Sequence, residues 1–458
     1  MFARFSMTVR RRMAGMLILF GMLMISADLI GLPVFRSGAG LGYWLAAGLL
    51  WSGLSSRNRL QASLLLLVGA GCLSTSIWLG GTLELSRLLG SNSSLLSMLV
   101  AVSFLSLVSR PSNEQDQSLP RGRGALASTL TAVHVFGSVI NLSSVFIIGD
   151  RLSQVARLSR EQSIVLVRGF TAAAFWSPFF AAMAIALSVA PNAKLSQLWL
   201  VSMPLAGLAL ALTYWQLTRQ PRPQQSITHQ ASTDAPNPEY PKAPVADFVG
   251  YPLHVGALLL PSLLAIAVLL LHKLWPVLSI LAVITLLAPL FSLTVLLVTQ
   301  RSLRAGLGQL VNGRLPQMGN ELALFLAAGV LAYGLESLLL SAEIRLPLQH
   351  FGALAASITY LATVLLALLG IHPIVCIALA GSILAPVNPD HTLLALVFLS
   401  SWAVGTSTGP LSGINLAFQG RYGIDSFSIM RWNLSYLALM SVCVVMAIWL
   451  LAALLGIS

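Results

Sequence analysis

The recurrence of apolar runs about 20 residues long constrains this chain most, because each run is long enough to cross a bilayer as a helix. Residues 13–30, 60–79, 198–217, 277–298, 321–340 and 432–457 are runs of this kind. Inside hydrocarbon every backbone N–H and C=O must be satisfied by the protein, which restricts spanning structure to helices and closed barrels. The runs are continuous rather than alternating, so they read as helices. Of 458 residues, 57% are hydrophobic and 9% charged, against about 45–50% and about 25% in soluble domains. The fold class is all-α and polytopic. The net charge of +12 comes from the loops, so it reports topology and does not suggest a nucleic-acid partner. Cys72, Cys376 and Cys443 lie in apolar runs without paired spacing, and the histidines show no ligand spacing. Neither a disulfide framework nor a metal site is expected. Arg4, Arg10, Arg11 and Arg12 precede the first run with no small-residue cleavage site behind it, which reads as a retained first helix. An integral protein of a bacterial inner (plasma) membrane is the expected location.

Residues 398–418, FLSSWAVGTSTGPLSGINLAF, begin and end as a membrane helix. Their middle holds Gly405, Thr406, Ser407, Thr408, Gly409, Pro410, Ser412, Gly413 and Asn415. Pro410 has no N–H to donate, and glycines weaken the helix on both sides. Backbone freed at membrane depth is tolerated where protein or a wet cavity surrounds it, and in transporters such broken helices form the binding site. A simple kink with small residues for close packing is the alternative reading. Residues 125–148 are one crossing long but contain His134, Gly137, Ser138, Asn141, Ser143 and Ser144. Residues 350–386 are interrupted by Gly370, His372 and Pro373.

Charge decides between topologies, since cytoplasmic loops carry the excess of Lys and Arg. A single crossing at 125–148 would put Arg151, Arg157, Arg160 and Arg168 outside, together with Arg219, Arg222, Lys242, Arg301, Arg304 and Arg314. A re-entrant hairpin there leaves 21 Lys and Arg inside and 5 outside. The expected architecture is about eleven transmembrane helices plus two re-entrant hairpins, N-terminus inside and C-terminus outside. Residues 1–36 form a tail and first helix. Residues 37–218 form a first repeat, with an inside hairpin at 125–148 and a broken helix at 169–190 around Ser177-Pro178. Residues 219–250 read as a cytoplasmic linker. Residues 251–458 form a second repeat, with an outside hairpin at 350–386 and a broken helix at 391–418. Two short full crossings are the other reading of 350–386. Hairpin, broken helix and closing helix thus occur twice in opposite orientation, an inverted repeat of the kind that places a transporter's site at the midplane.

This layout resembles the ion transporter superfamily, which includes the divalent anion/sodium symporters, the arsenite permeases and the membrane subunits of tripartite dicarboxylate transporters. The symporters carry Ser-Asn-Thr at each hairpin tip and a proline-threonine pair in each broken helix. Neither string occurs in this chain. The nearest equivalents are Ser138, Asn141, Ser143 and Ser144, then Ser177-Pro178, His372-Pro373 and residues 406–412. The resemblance implies an elevator-like movement of the hairpin domain and a homodimer. With both strings missing, a dicarboxylate substrate is not inherited from the family.

Hairpin tips and broken helices aim backbone N–H groups and positive helix ends at one point, an arrangement that holds an anion without a buried arginine. Hydroxyls of Ser138, Ser143, Ser177, Thr408 and Ser412, with the amides of Asn141 and Asn415, are the candidate substrate ligands. Carbonyls freed around Gly137, Gly405 and Thr406 are candidate ligands for Na⁺ as a coupling ion. His134 and His372 are candidate proton carriers, and Glu321 and Glu336 are further ones. Against each stands a plainer role, since membrane Ser and Thr commonly bond between helices. The expected function is secondary active transport of a small organic or inorganic anion, carboxylate-like, coupled to Na⁺ or H⁺. An efflux permease for oxyanions or other small solutes is one alternative. A membrane-embedded lipid-processing enzyme is another, but it would need acidic, histidine and arginine side chains clustered at one interface, and the sequence offers no such cluster.

Overall fold

The computed structural model describes residues 7–32, 36–108, 119–219, 248–253, 256–343, 348 and 350–457. Most of the expected linker, residues 220–247, lies outside the described residues, as do Arg4, Arg110, Arg222, Lys242 and Arg345. The described residues are helical, with one isolated β-bridge between Arg121 and Val249. Among the described residues, eight helical stretches are long and apolar enough to cross a membrane. The chain is an integral membrane protein, helical through its described residues.

One group of helices is built around α3 (Ser56–Trp78) and α14 (Gly319–Ser341), with α1 (Met7–Leu29), α2 (Arg36–Leu50), α4 (Leu85–Gly90) and α5 (Ser93–Ser103) beside them. Helices α3 and α14 run parallel. At one end the Ser55 N–H, which precedes α3, donates to Asn320 Oδ1 at 3.2 Å. At the other end Ser76 Oγ meets Ser337 Oγ at 2.6 Å and Ser341 Oγ at 2.8 Å. Between these ends Gly69 and Gly334 touch backbone to backbone: a Cβ on Gly334 would stand 3.1 Å from the Gly69 carbonyl carbon. Small residues and hydroxyls are what membrane helices use to approach closely, because lipid gives apolar side chains no reason to associate.

The second group contains the chain's irregular backbone. Helices α6 (Arg123–Ile140) and α7 (Leu142–Ser153) meet at Asn141, whose φ of 52° and ψ of −144° reverse the chain. Helix α8 (Arg160–Ala172) opens with a capping box in which Ser159 Oγ accepts from the Gln162 N–H and the Gln162 side chain accepts from the Ser159 N–H. Helices α6 and α8 start at the same place. The Gly122 N–H donates to the Phe248 carbonyl at 2.9 Å, and Gln162 Nε2 to the Val249 carbonyl at 2.8 Å. They run side by side, with Gly169 packed on Val133, so α7 returns to the end from which α6 departs. The chain then passes through Trp176-Ser177-Pro178 to α9 (Ala181–Val189) and α10 (Leu195–Thr218).

Three helices, α11 (Gly256–Leu274), α12 (Ile280–Val298) and α13 (Leu303–Gln309), lead to α14 and then to a second set of the same kind. Helix α15 (Ala353–Leu368) turns through Gly370, at φ 94°, into α16 (Pro373–Leu384). Asp390 caps α17 (His391–Thr408), accepting from the N–H groups of Thr392 and Leu393. Helices α15 and α17 lie side by side, joined by Thr363 Oγ1 and Ser401 Oγ at 2.6 Å. Gly409-Pro410-Leu411 interrupts the chain before α18 (Gly413–Tyr422) and α19 (Ser426–Leu455).

Two sequence expectations are corrected here. The first broken helix begins at Arg160 rather than 169, because the Ser159 capping box starts it. Arg168, counted with the loop cations, stands two turns inside α8 and is 2% exposed. The linker ends before 250, since Phe248 is buried and the backbone of 248–251 is pinned to α6: the Tyr251 N–H donates to Thr129 Oγ1 at 2.7 Å.

Candidate functional site: hairpin tips and broken helices

At the first tip, Asn141 Nδ2 donates to the Phe179 carbonyl at 3.2 Å, and Ser177 Oγ donates to the Ser138 carbonyl while accepting from the Phe179 N–H. The tip and the break of α8 are thus stitched together, and backbone groups freed by Pro178 are satisfied by side chains, as membrane depth demands. The second break uses the same device. Asn415 Nδ2 donates to the Gly409 carbonyl at 2.9 Å, and Ser412 caps α18 by accepting from the Asn415 N–H. Gly370, at the tip between α15 and α16, packs on Leu411, and its carbonyl accepts from Gln61 Nε2 of α3 at 3.1 Å.

Of the candidate ligands, Thr406 and Asn415 stand out. Thr406 Oγ1 and Asn415 Oδ1 are buried and have no hydrogen-bond partner, and an unsatisfied buried polar atom in a native structure calls for an explanation. Ser138 and Thr408 hydroxyls are spent on carbonyls of their own helices, those of Val135 and Val404. The hydroxyl of Ser144 is likewise bonded to the Asn141 carbonyl at 2.8 Å.

Several other candidates make contacts within the protein, His134 among them. Trp176 Nε1, which can only donate, reaches its Nε2 at 3.1 Å, so Nδ1 holds the hydrogen and donates to the Gly169 carbonyl at 3.1 Å. Both ring nitrogens are occupied in the neutral form. Gly137 lies in the last turn of α6, which ends at Ile140, so its carbonyl is one of the four that the helix itself does not satisfy. The Gly405 carbonyl is not freed: its oxygen accepts from the Gly409 N–H at 2.6 Å. These two glycines serve packing, Gly137 on Phe170 and Gly405 on Ala367. His372 caps α16, its Nδ1 accepting from the Ile374 N–H at 3.2 Å, which leaves Nε2–H as the free donor. Glu336 is engaged by Arg87 at 2.8 Å on an exposed surface, and Glu321 is exposed in the first turn of α14.

Arginines enter this region, which the sequence reading expected to hold an anion without a buried arginine. Arg314 closes a π turn, Leu310–Arg314, ahead of α14 and donates through Nη2 to Ser143 Oγ at 2.6 Å. Arg168 donates to Asn433 Oδ1 at 2.6 Å, to Gln216 Oε1 at 2.7 Å and to the Trp432 carbonyl at 3.2 Å. Sequence reading missed both, although the apolar run 163–175 around Arg168 was a usable signal. At the rim, Arg421 Nε and Tyr422 Oη donate to Asp150 Oδ1 at 2.7 and 3.0 Å, joining α7 to α18. This pair is exposed, so Asp150→Asn is expected to cost under about 1 kcal/mol, read as a thermal-unfolding midpoint close to wild type.

Among the described residues no cluster of His, Cys, Asp and Glu has the makings of a metal site. A cavity of about 670 Å³ opens elsewhere, lined by the Arg87–Glu336 pair together with Ile25, Leu29, Asn92 and Ser188. It includes none of the candidate ligands.

No family model matches the chain. No curated protein matches it in sequence. In structure it is similar to the YdaH transporter of Alcanivorax borkumensis, a transporter of unusual topology, with a TM-score of 0.51 at 15% identity, over 86% of this chain and 98% of that one. The chain has the fold of a membrane transporter.

Proposed function

We propose that this chain is a secondary active transporter of a small anion, carboxylate-like and coupled to Na⁺ or H⁺, whose site lies where the two hairpin tips meet the two broken helices. The observation that carries this reading is the pairing of each tip with a break, through Asn141 and Ser177 in one half and through Gly370 packed on Leu411 in the other, within a fold shared with a transporter. Broken helices at membrane depth supply the N–H groups and helix ends that recognise charged solutes. The unpartnered Thr406 and Asn415 oxygens are atoms that a solute or coupling ion would satisfy.

In this reading the chain makes eleven crossings, with α6–α7 entering from the cytoplasm and α15–α16 from outside. The arginine-rich ends of the helices support that orientation. A cysteine at the exposed Arg157, in a background lacking Cys72, Cys376 and Cys443, is expected to react with an impermeant maleimide only from the cytoplasmic side. Labelling from outside removes the α6–α7 hairpin.

Binding is tested by thermal unfolding of the purified protein with succinate, benzoate, phosphate or sulfate, in Na⁺ or choline. A ligand at about 100 times its Kd adds about 2.7 kcal/mol to the native state. Stabilisation by one anion, larger in Na⁺, is the expected result. The same stabilisation in choline assigns the coupling to protons or exchange. No response to any anion refutes the anion reading.

A further inference from the structure

We propose that Arg168 is the fixed positive charge against which this protein neutralises its anionic solute. The proposal rests on the anion reading above and names what gives the site its sign.

Arg168 sits eight residues into α8, about 12 Å from the start of the helix at a rise of about 1.5 Å per residue. It is 2% exposed. Its guanidinium is held by Asn433, Gln216 and the Trp432 carbonyl, and it lies 4.4 Å from the centre of the Tyr436 ring. Every one of these partners is neutral. A buried cation held only by neutral groups is costly, and such groups are ordinarily paired. A glutamine or methionine could tie α8, α10 and α19 together without that cost. A charge kept at this depth calls for a function.

The acidic side chains nearby are committed elsewhere or lie apart. Asp150 is held by Arg421 and Tyr422, and Asp425 caps α19 by accepting from the Ser428 N–H at 2.9 Å. Glu161 stands seven residues back along α8, about 10 Å toward the start of the helix, with an interaction of its own. The charged neighbour on the same face, Arg160, stacks over Trp432 at 5.8 Å and adds a second positive charge.

Arg168 also stands between the two breaks. Asn433, which accepts from Arg168, donates through Nδ2 to the Ser407 carbonyl at 3.0 Å. Ser407 is beside Thr406, whose buried hydroxyl has no partner. On the other side, Gly169, the next residue of α8, holds His134 and through it Trp176 at the first break. Arg168 therefore acts on the site through Asn433 and through its field, as a positioning residue, and the solute it favours is a carboxylate or oxyanion.

The test gives Arg168 a counter-charge without disturbing its contacts. Gln216→Glu is nearly isosteric and keeps the oxygen that accepts from Nη1. Full-length wild-type protein and the variant are titrated by thermal unfolding with succinate, benzoate, phosphate and sulfate. The variant is expected to unfold at a higher temperature than wild type, yet to bind the stabilising anion roughly tenfold more weakly or worse, the effect of one charge about 10 Å away at an effective dielectric constant of about 20. A purely structural Arg168 would give the higher midpoint with unchanged affinity, and that result overturns the proposal. If Gln216→Glu does not yield folded protein, Asn433→Asp places the carboxylate on the Nε side. Because it also loses the Nδ2 donor to the Ser407 carbonyl, it is read against Asn433→Leu, which loses that donor without adding a charge. Weaker anion binding in the aspartate variant than in the leucine variant is the expected result, whereas equal binding overturns the proposal. A wild-type protein that answers to none of the four anions defeats the anion reading itself; a wild-type response that the variant fully retains defeats only the role of Arg168.

Discussion

Replacing Gly334 with leucine is expected to abolish most folded protein. The α3–α14 pair is the tightest seam of its helix group, and its centre has no room for a side chain: the first carbon of one would already meet the Gly69 backbone, 3.1 Å from the carbonyl carbon and 3.2 Å from Cα. Forcing extra atoms into a packed interface costs about 1–3 kcal/mol where side chains can yield, and here the obstacle is backbone. The serine contacts of Ser76 with Ser337 and Ser341 would separate together with the helices. Gel filtration in detergent, with the unfolding midpoint of whatever monodisperse protein remains, measures the loss. Gly334→Ala is expected to fall between leucine and wild type. A leucine variant with a wild-type midpoint would mean that the seam is looser than described.

Asn141 carries the second large effect, and two substitutions separate its two jobs. Its backbone is at φ 52°, a region that costs most side chains about 1–3 kcal/mol. Its amide supplies the Phe179 carbonyl at the broken helix, and leaving a buried acceptor without its donor costs about 1–3 kcal/mol. Asn141→Leu should suffer both penalties and lower the unfolding midpoint most. Asn141→Gly relieves the backbone and loses only the amide. Both variants are expected to lose stabilisation by the solute and any transport of it. If Asn141→Gly keeps the response, the amide is not part of the site.

Much of this arrangement could be read in the chain, because membrane depth imposes strict accounting on backbone groups. Pro178, Pro410 and the glycines around Pro410 announced broken helices, and the placement of Lys and Arg announced that the chain turns back between α6 and α7. What could not be read is which groups satisfy one another across large sequence separations. Nothing local says that Trp176 would spend the His134 ring, that Gln61 of α3 would reach the Gly370 carbonyl, or that Arg314 would reach Ser143. Arg168 was mistaken for a loop residue because a charge count weighs sign and position but not burial. The capping box at Ser159 and Gln162, three residues apart, was the local sign that α8 starts early enough to bury it.

The measurement that tests the central claim most directly is solute accumulation in proteoliposomes. Vesicles containing the protein are loaded with choline, diluted into Na⁺ or into acidic buffer, and supplied with the radiolabelled anion that stabilises the purified protein. Accumulation above the external concentration, driven by one of the two gradients and lost in Asn141→Gly, is the predicted result. Uptake no greater than in protein-free vesicles under both gradients would contradict the account.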